Sequence, residues 1–265
     1  MVKTTEVRVR QETRRDKVMY PTASHSNALC RKLVGSLPPY RHPNVEDVLL
    51  TRGQTLFENK SRIDHLYFPT SAVVTRTYLA TCGHTAEMGM VGHEGVVGIS
   101  LLLGAETANN EALVHVDGRA LRMERTAAVN AFQRCEPFRH AVLRYARAMI
   151  TQISQLAVCN SLHCIEQRFC RWFLMTLDRA DTSELMLSHH FVAQMLAVRR
   201  ESISCALAHL AREGLVLNEH RRIRLLDRAA MEALSCECYH VIREEYAPLF
   251  DRQIPNSKCT AHAPE

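Results

Sequence analysis

The chain has 265 residues, which is room for two domains, each with a sizeable core. Its 46% hydrophobic content is that of a globular protein, and no apolar run is long enough to span a bilayer, so a soluble protein with no membrane partner is expected. Net charge is +5, which fits a polyanionic partner without demanding one, and ten cysteines behind an N-terminus lacking a secretory apolar segment point to reduced thiols in a cytoplasm rather than a disulfide framework.

Residues 1–28 mix Arg, Lys, Glu and Thr without a period and read as a mobile, mildly basic extension. A short helix is expected from Ala28 to Leu37, closed by Pro38-Pro39. From Leu49 to Met123 the chain is a series of short strand-like runs separated by glycines. They are TLFEN after Gly53, HLYFP, AVVTRTYLA, HTAEMGMV after a turn at Cys82-Gly83, and then ALVHV and RALRM. Asp117-Gly118 between the last two is a hairpin signal. Even spacing of this kind predicts a jelly-roll-like antiparallel barrel, an architecture that can enclose a ligand cavity. His93-Glu94 falls in one of its glycine-rich turns and could line an effector pocket, but reads as a solvated loop.

Arg125–Cys135 reads as a short helix, and Pro137 starts a long one. Along it Val142, Tyr145, Met149, Ile153 and Leu156 recur every three or four positions, a heptad-like seam assigned to dimerisation, although the same face could pack on its own barrel. Asn160 or Ser161 is expected to cap the next helix, whose apolar face carries Ile165, Phe169, Trp172, Phe173 and Met175. Asp181–Glu184 is a polar link, and ELML a short strand.

Ser188–Asp227 is the most informative stretch. Ser188 can cap a short helix with Phe191, Val192, Met195 and Leu196 on one stripe, and Ala197-Val198 leads tightly out of it. A second helix is expected from about Arg199 to Glu213. It buries Ile203, Leu207 and Leu210, leaves Arg200, Glu201 and Ser204 on another face, and stops at Gly214. LVL and RIRLL then read as two strands around a polar turn at Asn218–His220. Helix, tight turn, helix and basic hairpin is the pattern of a winged helix-turn-helix. Its second helix enters the major groove of duplex DNA. Arg200 can donate twice to guanine and Glu201 can accept from cytosine, so Arg200, Glu201 and Ser204 are assigned to bases. Arg199, Arg221 and Arg222 are assigned to phosphates, and Ser202 to either. Arg228–Tyr246 is expected as one further helix, followed by an irregular tail.

Other chemistry is less well supported. Cys159 with His163, and Cys236, Cys238 and His240 as C-x-C-x-H, offer thiolate and imidazole, but structural zinc sites normally show C-x-x-C pairs, so no metal is assigned. Oxidation of Cys159, Cys164 or Cys205 could alter DNA affinity, but nothing in the sequence marks a lowered thiol pKa. No G-x-S-x-G, H-E-x-x-H or phosphate-binding glycine loop is present, so an enzyme is not expected and no catalytic residue is assigned.

A glycine-punctuated barrel, a dimer helix and a winged helix-turn-helix in this order resemble the Crp/Fnr family of bacterial transcription regulators. The pieces that carry the resemblance are GQTLFENKSRIDHLYFP, GHEGVVGISLLLG, CNSLHCIEQRFCRWFL and FVAQMLAVRRESIS. It implies an α+β fold divided into an extension (1–28), an effector-type barrel (29–136), a dimerisation helix (137–159), a DNA-binding domain (160–250) and a tail (251–265). It also implies a homodimer on a palindromic site that touches RNA polymerase, with the barrel coupling a signal of unknown identity to DNA affinity. Cyclic-nucleotide-binding members hold the phosphate with an Arg in a short motif. Here Gly98 is followed by Ile99, and the later position reads Asn110-Glu111-Ala112, so cyclic nucleotide is disfavoured. Iron–sulfur members carry several N-terminal cysteines, whereas only Cys30 precedes this barrel, so that cofactor is disfavoured too and none is predicted. Many members have a second arginine where this chain has Cys205, which implies a different half-site. The alternative is a redox or small-molecule sensor whose output is a protein–protein contact.

Overall fold

A computed structural model describes residues 27–34 and 45–249. Nearly all of the expected extension, the Pro38-Pro39 stop and the tail over 251–265 lie outside them. Helix α1 (Ala28–Val34) precedes two antiparallel sheets. In one, β7 (Gly118–Glu124) lies between β1 (Val45–Leu50) and β3 (His65–Pro69). In the other, the order is β2 (Thr55–Phe57), β6 (Glu111–Val116), β4 (Val73–Leu79) and β5 (Thr85–Val91). The two sheets face each other across Leu66, Phe68, Val73, Val74, Val114 and Met123, all fully or almost fully buried, as a jelly-roll requires.

Strand β1 begins earlier than the barrel was expected to. VEDVLL does not alternate: Val45 and Leu50 are buried at its ends, and the charges between are used in the ladder. Arg119 on β7 pairs with Asp47 at 2.9 Å, next to the backbone register Leu49↔Arg119. A strand held by cross-strand ion pairs has no period-2 apolar signature.

Glu124 accepts from the N–H groups of Thr126 and Ala127 and caps α2 (Arg125–Arg134). Helix α3 (Glu136–Leu162) has Pro137 in its first turn and runs on through Asn160 and Ser161. Neither of them caps the next helix. Ser161 Oγ instead donates back to the Ala157 carbonyl at 3.0 Å, and the chain opens at His163. Helix α4 (Ile165–Ala180) is capped by Cys164, with the Gln167 side chain reaching back to the Cys164 N–H. Trp172, Phe169 and Phe173 are fully buried in it, between the barrel and the carboxy-terminal unit.

That unit contains β8 (Glu184–Met186), α5 (His189–Met195), α6 (Arg200–Arg212), β9 (Val216–Glu219) and β10 (Arg222–Leu225), with sheet order β8-β10-β9. The expected single helix over Arg228–Tyr246 is two, α7 (Arg228–Leu234) and α8 (Glu237–Tyr246). The break falls at Ser235 and Cys236, both extended, and Cys236 turns its thiol toward Cys159 at 3.5 Å. Among the described residues eight cysteines carry free thiols. No described helix is long and apolar enough to cross a membrane.

Candidate nucleic-acid interface

Ser188 Oγ accepts the Phe191 N–H at 3.1 Å and starts α5, as its cap position predicts. The turn between α5 and α6 passes through Ala197 at φ 51°, and Arg199, extended, precedes the first turn of α6. Ile203, Ala206, Leu207 and Leu210 bury one face of α6, and Gly214 at φ 70° ends it. Arg199, Arg200, Glu201 and Cys205 are exposed on the outer side. Among the described residues neither Arg200 nor Glu201 is in an ion pair, so both are available to an incoming base edge.

Ser204 is placed differently from an outward base reader. It is half-buried, donates to the Arg200 carbonyl at 3.2 Å and lies 2.9 Å from His189 Nδ1. His189 Nε2 in turn lies 3.3 Å from Asn218 Nδ2. One self-consistent assignment has Nδ1–H donating to Ser204 and Nε2 accepting from Asn218, which ties α5, α6 and β9 together. Ser202 is half-buried beside it.

The wing is a two-residue hairpin. Glu219 pairs with Arg222, so the turn is His220-Arg221, not Asn218–His220, and both central residues have positive φ (46° and 67°). That is the backbone of a primed turn, which matches strand twist but is usually built with Asn and Gly. With those residue types absent, the turn position was not legible. Arg221 is exposed at the tip. Arg222 is exposed but bonded to Glu184 of β8 at 3.2 Å, so it meets DNA as half of an ion pair. Arg224, which sequence reasoning passed over, is exposed on the same face of β10, with Ile223 buried between them. The alternation Arg-Ile-Arg could have revealed it.

The barrel grips this unit through buried polar contacts. Glu94, expected in a solvated loop, is 2% exposed and accepts from Arg179 Nε of α4 at 2.7 Å. The flanking glycines allow the approach: a Cβ on Gly92 would lie 2.7 Å from Arg179, and one on Gly95 would lie 2.3 Å from the Tyr145 ring. Trp172 Nε1 donates to Glu87 of β5 at 2.7 Å, and burial raises the Glu87 carboxyl above its ordinary range. His115 of β6 stacks on Trp172 and leans on Phe191. Burial pushes its pKa down to about 3. Arg52, in the loop before β2, donates to the Met186 carbonyl and lies over Phe191.

The α3 seam turns inward. Val142 and Tyr145 are fully buried within their own chain, Leu156 nearly so, and Met149 and Ile153 are half-buried, with the Met149 sulfur 3.0 Å from Arg76 of β4. Heptad spacing marks an apolar face without saying what covers it, and here the chain's own core covers Val142 and Tyr145. Leu143, Ile150, Val158 and Leu162 are the large apolar side chains left exposed along α3.

Residues 167–234 match the family of Crp-like helix-turn-helix domains. The chain is 31% identical over 131 residues to the transcriptional regulator LdrP of one Thermus thermophilus strain, covering 44% of this chain and 67% of that protein. It is 27% identical over 164 residues to LdrP of a second strain of the same species, covering 58% and 75%. Among solved structures, a CRP-family transcriptional regulator from Thermus thermophilus superposes with TM-score 0.60 at 23% identity, over 71% of this chain and 96% of the other. FixK2 from Bradyrhizobium japonicum superposes with TM-score 0.61 at 16% identity, over 72% and 98%. The solved structures establish a shared fold.

Proposed function

Since the chain belongs to the Crp/Fnr family of transcription regulators, we propose that it acts as a homodimer on a palindromic duplex site, with its barrel coupling a signal to DNA affinity. The observation that carries this reading is the start of α6, where Arg200 and Glu201 are exposed and free of intrachain ion pairs while the opposite face is locked into the core. Arg200 and Glu201 read base edges. Arg199, Arg221 and Arg224 hold phosphates, with Arg222 contributing when it exchanges Glu184 for DNA. Ser204 keeps α6 in register with α5 and the wing, and Ser202 contacts either a base or the backbone at the margin.

The dimer forms through the exposed Leu143–Ile150–Val158–Leu162 stripe of α3, and its two-fold axis sets two copies of α6 about one DNA turn apart. RNA polymerase is the further partner that such a regulator touches. On the sensory side, Arg76 Nε, Tyr145 OH and Gln152 Nε2 are buried without hydrogen-bond partners among the described residues. Arg76 is on β4 and the other two are on α3, which packs against β5, the neighbour of β4, at the barrel's junction with the long helix. A small ligand bearing acceptor oxygens would satisfy them and report directly to the dimer helix. Cyclic nucleotide remains disfavoured: the Glu111 carboxylate is held by Thr55 and Thr77 at 3.1 and 3.2 Å, a fixed negative charge where the family's phosphate clamp would stand. The test is binding of the full chain to duplex DNA over a range of salt concentrations. Affinity that depends on sequence and falls steeply with salt supports the reading, and salt-insensitive binding without sequence preference opposes it.

A further inference from the structure

The break between α7 and α8 brings four metal-ligand side chains together where α3 meets α4. Cys159 lies in the last turn of α3, His163 follows its end, Cys236 precedes α8, and Cys238 stands in its first turn. Their ligating atoms all lie within 4.8 Å of one another. Cys159 Sγ and Cys236 Sγ are 3.5 Å apart, and Cys238 Sγ and His163 Nδ1 are 3.6 Å apart. Around tetrahedral zinc, bond lengths of about 2.3 Å to sulfur and about 2.0 Å to nitrogen place adjacent ligand atoms roughly 3.5–3.8 Å apart. The spread therefore encloses one ion, and it is too tight for thiolates carried on separate irons of a cluster. His240, which the sequence groups with Cys236 and Cys238, is not part of the group.

Two further observations point to a ligand. His163 Nε2 lies 3.2 Å from the Glu237 carboxylate, and the tautomer that donates Nε2–H to it has its Nδ1 lone pair facing Cys238. That carboxylate–histidine arrangement is the usual support behind a metal-bound imidazole. Arg171 is 1% exposed and donates Nε–H to Cys159 Sγ at 3.2 Å; the buried Glu87 carboxylate acts on it through space, but no carboxylate among the described residues lies in ion-pair contact with it. A buried guanidinium needs a counter-charge. Three thiolates and one neutral imidazole around a divalent ion carry a net charge of −1 and supply it.

We propose that Cys159, His163, Cys236 and Cys238 bind one zinc ion per chain, pinning α8 to the end of α3 at the joint that carries the DNA-binding unit. Sequence spacing hid the site, because the ligands come in two pairs 77 residues apart (Cys159 and Cys236) with spacings of four and two. Zinc is the fitting ion: soft thiolates with one imidazole in a closed tetrahedron select it over the oxygen-seeking cations. The proposal replaces the sequence expectation of unligated thiols and stands independently of which DNA the protein reads.

The test uses the full chain, reduced and stripped by a chelator, then titrated with zinc against a chromophoric competitor and, separately, with cobalt(II). Uptake of one zinc per chain is expected, together with thiolate-to-cobalt absorption of a tetrahedral site that zinc abolishes. Glu237→Ala keeps every ligand and weakens zinc binding on the order of tenfold. His163→Ala and Cys238→Ser weaken it further, with circular dichroism confirming that each variant folds. Uptake well below one zinc per chain by the reduced wild-type protein overturns the proposal. So does zinc affinity that His163→Ala and Cys238→Ser leave unchanged, or a Cys159–Cys236 disulfide whose reduction restores no zinc uptake.

Discussion

The indole of Trp172 donates its Nε1–H to the buried Glu87 carboxylate at 2.7 Å, linking α4 of the DNA-binding unit to β5 of the barrel. The second oxygen, Oε1, has no partner among the described residues, so this bond is the main direct compensation for burying the group. Trp172→Phe removes the donor and keeps most of the ring volume. It should destabilise the protein by about 1–3 kcal/mol, the cost of an unsatisfied buried acceptor. Combining it with Glu87→Met, which keeps the length of the side chain and removes the acceptor, in a double-mutant cycle read by denaturant unfolding should give a coupling well away from zero. Additive effects would show that the barrel and the reader are not joined here.

Base and phosphate contacts separate by how they change specificity. Arg200→Ala should cost about 1–3 kcal/mol on the preferred site and relax one base position per half-site. Arg224→Ala should weaken all sequences alike and lower the salt slope by about 0.9 per chain. Arg222→Ala should have the smaller effect of the two wing changes, because Arg222 already spends its charge on Glu184. Anisotropy titrations at several salt concentrations check all three.

His115 sets an acid limit. Its folded pKa, about 3, lies below the unfolded value of 6.5, so below pH 6.5 the unfolded chain binds the proton that the folded chain refuses. The stability that depends on neutral His115 is complete above pH 6.5. It falls as pH drops below that value, approaching about 1.4 kcal/mol per pH unit for this one group. Among the described residues both ring nitrogens lack partners, so His115→Phe sacrifices no hydrogen bond there and should flatten the profile between pH 6 and 4 relative to wild type, as measured by urea unfolding.

The two faces of α3 should respond differently. Ile150 is 62% exposed, so Ile150→Glu should leave the fold intact and shift the protein to monomer in sedimentation velocity. Val142 is fully buried in its own chain, so Val142→Ala should lower stability by about 1–2 kcal/mol and leave the oligomeric state alone. The reverse pattern would restore the Val142–Leu156 seam as the dimer contact.

The reader was legible in the sequence because its determinants are local. A cap at Ser188, a stop at Gly214 and the apolar spacing of Ile203, Leu207 and Leu210 lie within about two dozen residues, and all three hold. What failed to show was decided by distant partners. Val142 and Tyr145 of the α3 seam met their own core, and Glu94 found Arg179 85 residues away. Cys236 left its helix to meet Cys159, and nothing in the period of Arg228–Tyr246 records that. Glu46 and Asp47 hid β1 because their arginine partners lie on β7.

The most direct test of a dimeric reader built on α6 is selection of bound fragments from random duplex DNA by the purified full chain, with Arg200→Ala run in parallel. An enriched palindrome with half-site centres about one helical turn apart is expected. The variant should lose preference at one symmetry-related base pair while keeping the spacing. Enrichment of a non-palindromic site, or a wild-type preference that Arg200→Ala leaves unaltered, would contradict it.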